Sequence, residues 1–436
     1  MRIAWFSPLP PVRSGIASDN AELLARLDTE FPIDRFVEGA RGRPAGPRVF
    51  EAHDFVWKHQ REPYDLVVYQ LGNAACHDYM WAYLTAYPGL VVLHDPRLHH
   101  ARARYLLQRG RADDYRREFE YDHPEAAGFV EYAVEGLGGS IYYFWSMLRL
   151  VVNTARMVAV HNARVAIDLR EEFPGTPIAA IRLGKPPLEA GPAARARMRA
   201  ALGVPDASVL FAVFGKITAA KRIGAILRAF SALVAENADV HLVLAGDASE
   251  YPTLPHDLAA AGGGSRVHVA GYVADETVGE YLAAADACLC LRWPTAQETS
   301  GSWIQCLAAG RATVITDLAH LADVPAIDPR TWTGVALQPV AIAIDVLDED
   351  RALVEAMRRL AADALFREAL ARAGRAFWAA HHTLDGMVDD YRRLLHQAAV
   401  RPAPIVADLP AHVTNDYAGL ARAIARQFGV DVDILR

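Results

Sequence analysis

At 436 residues the chain is too long for one ordinary α/β domain and suits two. With 52% hydrophobic and 22% charged residues it can build a sizeable core, and no apolar run reaches the roughly 18 residues a bilayer span needs. A net charge of −7 argues against a nucleic-acid partner, which needs a basic face.

The chain opens on Met1-Arg2-Ile3-Ala4-Trp5-Phe6, which reads as a short buried strand and not as a cleavable signal, so a cytoplasmic protein is expected. In the first half, buried-strand runs span Arg2 to Ser7, Leu66 to Leu71, Leu90 to His94, Met157 to His161 and Ile178 to Leu183. Residues 96–153 interrupt them with a helical insertion rich in Arg, Tyr and Phe. Gly184 to Ala194, with Lys-Pro-Pro and Gly-Pro, is the best linker. The second half repeats the rhythm with Val209 to Phe214, Val240 to Ala245, Val267 to Ala270, Ala287 to Leu291 and Ala312 to Thr316. Strands alternating with helical stretches predict parallel sheets with crossover helices. Long helices are expected from Leu353 to Trp378 and Leu384 to Ala398, then a short amphipathic helix near Asp416 to Phe428, capped by Asn415. The predicted division is a first domain over 1–185 completed by a helix over 384–399, a second domain over 196–383, and a tail over 400–436.

Several strand ends carry chemistry. Phe214-Gly215-Lys216-Ile217-Thr218-Ala219-Ala220-Lys221-Arg222 follows a strand and precedes a helix starting near Ile223. Free N–H groups and the helix dipole make such a turn an anion site, and Lys216 and Lys221 can bracket a diphosphate. The spacing alone equally fits a solvated loop with two surface lysines. After the strand ending at Leu291, Trp293 to Gly310 holds Glu298, then Thr299-Ser300-Gly301-Ser302, then a short helix closed by Gly310. Glu298 lies four residues before Ser302, too early for a capping box, which favours ligand contact. Gly246-Asp247 and Gly271-Tyr272-Val273 follow two more strands of that half. In the first half, Ser14-Gly15-Ile16-Ala17 opens a helix after the first strand, where Gly15 allows close backbone approach. His94-Asp95 and Gln70-Leu71-Gly72-Asn73 end two others; a lone strand-end histidine is more often structural. The cysteines (Cys76, Cys288, Cys290, Cys306) lack metal-ligand spacing and read as small core residues.

Seven arginines lie between Arg97 and Arg117, with Tyr105, Leu106 and Leu107 among them. Such a stretch suits anionic lipid or a phosphorylated acceptor, hence a peripheral contact at the inner membrane face. It equally suits a solvated face paired with Asp113, Asp114 and Glu118.

In this order, from Met1 to about Ala399, these elements resemble the family-4 retaining glycosyltransferases of GT-B architecture, two Rossmann-like parallel-sheet domains facing a cleft. His382-Thr383-Leu384 before the Tyr391 helix resembles the family's ending, where the last helix returns to the first domain. The resemblance implies transfer of a sugar from a nucleotide-diphosphate donor, such as a UDP- or GDP-sugar, to a glycan, lipid-linked or small-molecule hydroxyl. It implies no cofactor and no metal. Lys216, where the family usually has Arg, and Lys221 would neutralise the leaving diphosphate. Glu298 would contact the transferred sugar's hydroxyls, with the backbone of Thr299, Ser300, Gly301 and Ser302 on sugar and phosphate. His94 would reach that sugar from the first domain. Gly15, Gly215 and Gly246 belong to the same binding loops, and main-chain atoms of Tyr272 and Val273 would read the base.

Three departures stand out. Lys216 keeps charge without bidentate geometry. Leu183-Gly184 replaces the family's frequent His-Gly. The second family glutamate is missing: eight residues on from Glu298 stands Cys306, whereas five before Gly310 stands Gln305. These two point about 100° apart on a helix, so only one faces a ligand. The apolar thiol suits the core, and Gln305 is expected at the ribose. The missing glutamate leaves open a sugar-nucleotide-binding regulatory partner without activity; an epimerase or phosphorylase on the same fold is the other alternative.

Overall fold

The computed structural model describes residues 1–39, 46–139, 141–189, 191–262, 264–334, 338–415 and 419–430. Strands β1 (Ile3–Phe6), β2 (Ile33–Val37), β3 (Val49–Glu51), β4 (Leu66–Leu71), β5 (Leu90–Leu93), β6 (Met157–Val160) and β7 (Ile178–Ala180) form one parallel sheet. Its order is β3-β2-β1-β4-β5-β6-β7. The second sheet contains β8 (Val209–Phe214), β9 (Val240–Ala245), β10 (Val267–Gly271), β11 (Ala287–Cys290), β12 (Ala312–Thr316), β13 (Ala326–Asp328), β14 (Thr333–Gly334) and β15 (Ala341–Ile344). Its order is β10-β9-β8-β11-β12-β15-β13-β14, parallel except for the β13–β14 pair. Every strand expected from the sequence is present; β2, β3, β13, β14 and β15 are additional.

The strand orders fix where a ligand can sit. Each sheet reverses direction of growth once near its middle, between β1 and β4 and between β8 and β11. Loops leaving the carboxyl ends of such a pair diverge to opposite faces and leave a crevice, the usual binding place of open α/β sheets. The four loops concerned begin at Ser7, Gly72, Gly215 and Leu291.

Between residues 96 and 153 the chain forms a helical subdomain with its own core of Leu106, Tyr115, Phe119 and Val130. Helix Leu384–Ala399 returns to the first sheet: Leu384, Met387, Tyr391 and Leu395 join one buried cluster with Ile3, Trp5, Leu66 and Leu90. That cluster runs on into the second half through Trp303, Ile304, Leu307 and Trp378. Arg182 clamps Asp390 at 2.8 Å, and Arg392 reaches Glu30 at 2.8 Å. The expected continuous helix from Leu353 to Trp378 is two, Glu349–Ala362 and Ala364–His381. Asp363 breaks it, because its carboxylate caps the second helix by accepting from the N–H of Phe366 at 2.9 Å. In the tail, Asn415 follows a short helix, Ala411–Thr414, at its C-cap. Residues 416–418, where the next helix was expected to begin, lie outside the described residues; helix Gly419–Gln427 follows. No helix among the described residues is long and apolar enough to cross a membrane.

Candidate active site

On the second sheet the site begins where β8 ends. Gly215 turns the chain with φ +85°. Its N–H donates to Ala245 O at 3.0 Å, and Ile217 N–H donates to Asp247 O at 2.8 Å. The two strand ends cross so closely that a Cβ on Gly246 would overlap the Gly215 carbonyl. Lys221 sits in the short turn Ala219–Lys221 and is buried; its ammonium folds back to donate to Phe214 O. A Cβ on Gly215 would lie 3.0 Å from Lys221 Nζ and 3.4 Å from Ser302 Cβ. Gly215, Lys221 and Ser302 therefore meet at one point, at the N-terminus of helix Gly301–Ala308. Burial, and then the Arg292 charge, push the Lys221 pKa down to about 7. Lys216 is half exposed and pairs with Glu250 at the surface, so the two lysines do not bracket one point in this state.

The loop after β11 folds Glu298 onto itself. Its Oε2 accepts from Thr295 Oγ1 and from Ala296 N–H, each at 2.9 Å, and its Oε1 lies 3.0 Å from Arg292 Nε. Behind it is a small pocket lined by Cys290, Arg292, Trp303, Thr316, Leu318 and His320. Ser300, not Glu298, caps the helix, accepting from Trp303 N–H at 3.3 Å. Thr299 Oγ1 donates to His161 O of the first half at 2.9 Å, and Asn162 Nδ2 donates to His320 O at 2.8 Å, so the halves touch here. Gln305 is half-buried; Cys306 is fully buried and packs with Cys288 and Cys290, as its apolar character requires. Gly310 closes the helix with φ +63°. At the far end Tyr272 is 47% exposed, and the Arg13 guanidinium lies 4.2 Å over its ring, while Val273 packs beside the Cys288 cluster.

The first sheet supplies the facing wall. Gly15 starts helix Gly15–Leu27, and a Cβ there would meet nothing within 4 Å. His94 N–H donates to Leu71 O at 2.8 Å; its Nε2 is 2.7 Å from Gln70 Oε1, which also accepts from Tyr391 OH at 3.3 Å. An Nε2–H donor leaves Nδ1 as an acceptor. Burial first, then His161, His77 and Lys185, hold the His94 pKa well below the ordinary histidine range, so the ring is neutral. Next to it, Asp95 accepts from Asn73 N–H at 2.6 Å, yet burial and the Glu298 charge raise its pKa to about 6. Asp95 thus senses Glu298 across the crevice, as do His100 and Tyr143 of the helical subdomain.

Sequence reading passed over Asp95, Arg292, Asp19 and Lys185 as site residues. Asp95 stands within the His94-Asp95 strand end and Arg292 just before the Trp293 to Gly310 loop, so their position was the available signal. The last two form a buried ion pair across the chain that no local pattern betrays. The arginines between 97 and 117 find partners inside the protein. Arg102 clamps Glu118, Arg104 pairs with Asp78 at 2.6 Å, Arg116 with Glu131 at 2.7 Å and Arg117 with Asp114 at 2.9 Å.

Comparison with known proteins fits this geometry. Residues 208–363 match the family model described as glycosyl transferases group 1. Curated protein sequences give no match. Among solved structures, sucrose-phosphate synthase from Thermosynechococcus elongatus is similar with TM-score 0.64 and 16% identity, covering 91% of this chain and 98% of that one. Anabaena HepE in complex with UDP and glucose is similar with TM-score 0.62 and 14% identity over 91% and 100%. WaaG, a glycosyltransferase involved in lipopolysaccharide biosynthesis, has TM-score 0.61 and 13% identity over 91% and 99%. At such identities the likeness is one of fold. The chain therefore has the GT-B architecture, and its residues 208–363 are similar to the group 1 glycosyl transferases.

Proposed function

We propose that the protein is a retaining, metal-independent glycosyltransferase of the family-4 kind. It would move a sugar from a nucleotide-diphosphate donor to an acceptor hydroxyl in polysaccharide, glycolipid or glycoconjugate synthesis. The observation that carries this reading is the meeting of Gly215, Lys221 and Ser302 at a helix N-terminus, on the reversal point of the second sheet. Free N–H groups, a helix dipole and a buried ammonium together favour a diphosphate. The second domain then holds the donor, and the first domain with the helical subdomain receives the acceptor.

The chemistry follows from charge. As the glycosidic phosphate bond breaks, negative charge grows on the leaving oxygen, where Lys221 and the helix N–H groups stabilise it. Lys216 joins them once its side chain leaves Glu250. In the front-face displacement that the family resemblance implies, the acceptor attacks from the leaving-group side and the leaving phosphate oxygen takes its proton. Neutral His94, with Nδ1 free to accept, orients a sugar hydroxyl from the first domain. Gly15 is required neither by a left-handed backbone nor by protein packing, which fits a ligand approaching its backbone. Glu298 reaches the sugar by exchanging its Arg292 contact for hydroxyls.

The test is turnover of UDP- and GDP-sugars by the pure protein, UDP first because the HepE structure holds it. Nucleotide release and product mass are followed with and without EDTA. Loss of activity in EDTA overturns the metal-independent step. Glu298 occupied by Arg292, and Gln305 in place of a glutamate, favour a second reading, a nucleotide-sugar-binding regulatory protein. Retention of nucleotide with no hydrolysis or transfer would establish it.

A further inference from the structure

We propose that Lys185, carried by the segment joining the two halves, is a third cation at the donor diphosphate, held ready by Asp19. The inference rests on the diphosphate site proposed above and adds a residue from outside its loops.

The sequence around Lys185 (Leu183-Gly184-Lys185-Pro186-Pro187) reads as linker. In the structure its main chain is fixed. Lys185 N–H donates to His382 O at 2.9 Å, Lys185 bridges Thr383, and His382 Nδ1 lies 3.0 Å from Leu183 O. A Cβ on Gly184 would overlap the Thr383 carbonyl, so the two segments are in contact. The backbone is pinned, and only the side chain is left to move.

That side chain is taken from water at a cost. Lys185 is 5% exposed and its ammonium is bonded to Asp19, itself 8% exposed. A one-to-one buried pair adds little stability, since apolar residues of similar volume serve as well. Burial raises the Asp19 pKa even against the pull of Lys185, and Asp275 adds to the rise. Glu22 is raised likewise by burial, with Lys185 opposing. The pair is better explained by where it puts the ammonium. A Cβ on Gly301 would lie 3.5 Å from Lys185 Cε and 3.6 Å from its Nζ. Gly301 is the first residue of helix Gly301–Ala308, and its neighbour Ser302 touches Gly215 beside Lys221. Lys185, against Gly301, and Lys221, beside Gly215 and Ser302, thus both lie near the same helix start.

An ammonium carries three N–H donors, so Lys185 can keep Asp19 and still reach an oxyanion. Asp19, Glu22 and Asp275 set a negative background around the ammonium, which repels an anion at the helix start.

The experiment is calorimetric titration of inorganic pyrophosphate, UDP and GDP, with uridine and guanosine as uncharged references. Wild type is compared with Lys185→Met, Asp19→Asn and Lys221→Met, and thermal stability is recorded for each. Lys185→Met should weaken pyrophosphate and the diphosphates by about tenfold or more, as loss of a charge-assisted hydrogen bond does, and leave the nucleosides unchanged. Asp19→Asn should tighten them, by up to about tenfold, because it removes a like charge near the anion. A purely structural pair predicts lower stability in both variants with wild-type pyrophosphate affinity. That result, with Lys221→Met still weakened, overturns the role of Lys185 alone. Wild-type affinity in Lys221→Met as well overturns the diphosphate site itself. If Lys185→Met does not fold, Asp19→Asn decides: tighter binding upholds the proposal, and unchanged or weaker binding overturns it.

Discussion

Binding of a diphosphate beside Lys221 must change the proton content of the protein, and the size of that change follows from its burial. In the free protein the Lys221 pKa is about 7, against an ordinary 10.5, because the side chain is cut off from water and faces Arg292. At pH 8 only about one molecule in ten carries the ammonium. A bound diphosphate restores the charged form, so each binding event at pH 8 takes up about 0.9 proton. Affinity should fall about tenfold, about 1.4 kcal/mol, for each pH unit above 7 until the ordinary lysine range is reached. Without ligand the sign is opposite. The unfolded chain holds this proton more tightly than the folded one, so the group adds stability as pH rises from about 7 towards 10.5. The assay is calorimetry with UDP and GDP at pH 8 in buffers of different ionisation enthalpy, whose slope counts protons. Lys221→Arg keeps the charge at every pH, so it should abolish the slope and flatten affinity between pH 7 and 9. A slope near zero in the wild type, or an unchanged slope in Lys221→Arg, refutes the reasoning.

Gln305→Ala should weaken nucleotide diphosphate binding by roughly 1–2 kcal/mol, while Cys306→Ala leaves it nearly unchanged; calorimetry on the two reads the helix register directly. The reverse pattern would show that the thiol side faces the ribose. His94→Ala should lower kcat more than nucleotide affinity, since the proposed contact of its ring is with the sugar and not the base; equal loss in both parameters contradicts that. Gly246→Ala should cost more than about 2 kcal/mol in denaturant unfolding, because its Cβ overlaps a neighbouring carbonyl. Gly15→Ala, with open space around it, should leave stability unchanged but weaken diphosphate binding.

Strands that are apolar throughout were legible in the sequence, because burial on both faces of a parallel sheet leaves no room for polar residues. Strand β2 escaped because Asp34 and Arg35 interrupt it. Asp34 is nevertheless buried, neutralised by Arg2 at 3.2 Å and Arg48 at 2.8 Å, partners that only the fold brings together. β15 escaped because Ala341-Ile342-Ala343-Ile344 is short and alanine-rich, and alternation in four residues does not separate strand from helix. The break at Asp363 was readable, since Asp three residues before Phe366 is a capping signal, but an unbroken apolar period outweighed it. In the site, loops at strand ends were found by their glycines. What the loops do with their charges was not. Glu298 turns to Arg292, and Lys216 to Glu250, contacts that only the folded loops bring together.

Return of helix Leu384–Ala399 to the first sheet has a consequence for synthesis. Chains generally fold from the N-terminus as they emerge. Here the apolar face bearing Ile3, Trp5, Leu66 and Leu90 is covered by Leu384, Met387, Tyr391 and Leu395, which are made long after it. The first half must therefore wait, partly unclad, while some two hundred further residues, by the spacing of the elements, are translated and the second half assembles. A gene fragment cut at the linker would yield a first half with its sticky face open to water. Separate expression of the two halves should give an aggregating N-terminal piece, unless residues 384–399 are grafted back onto it.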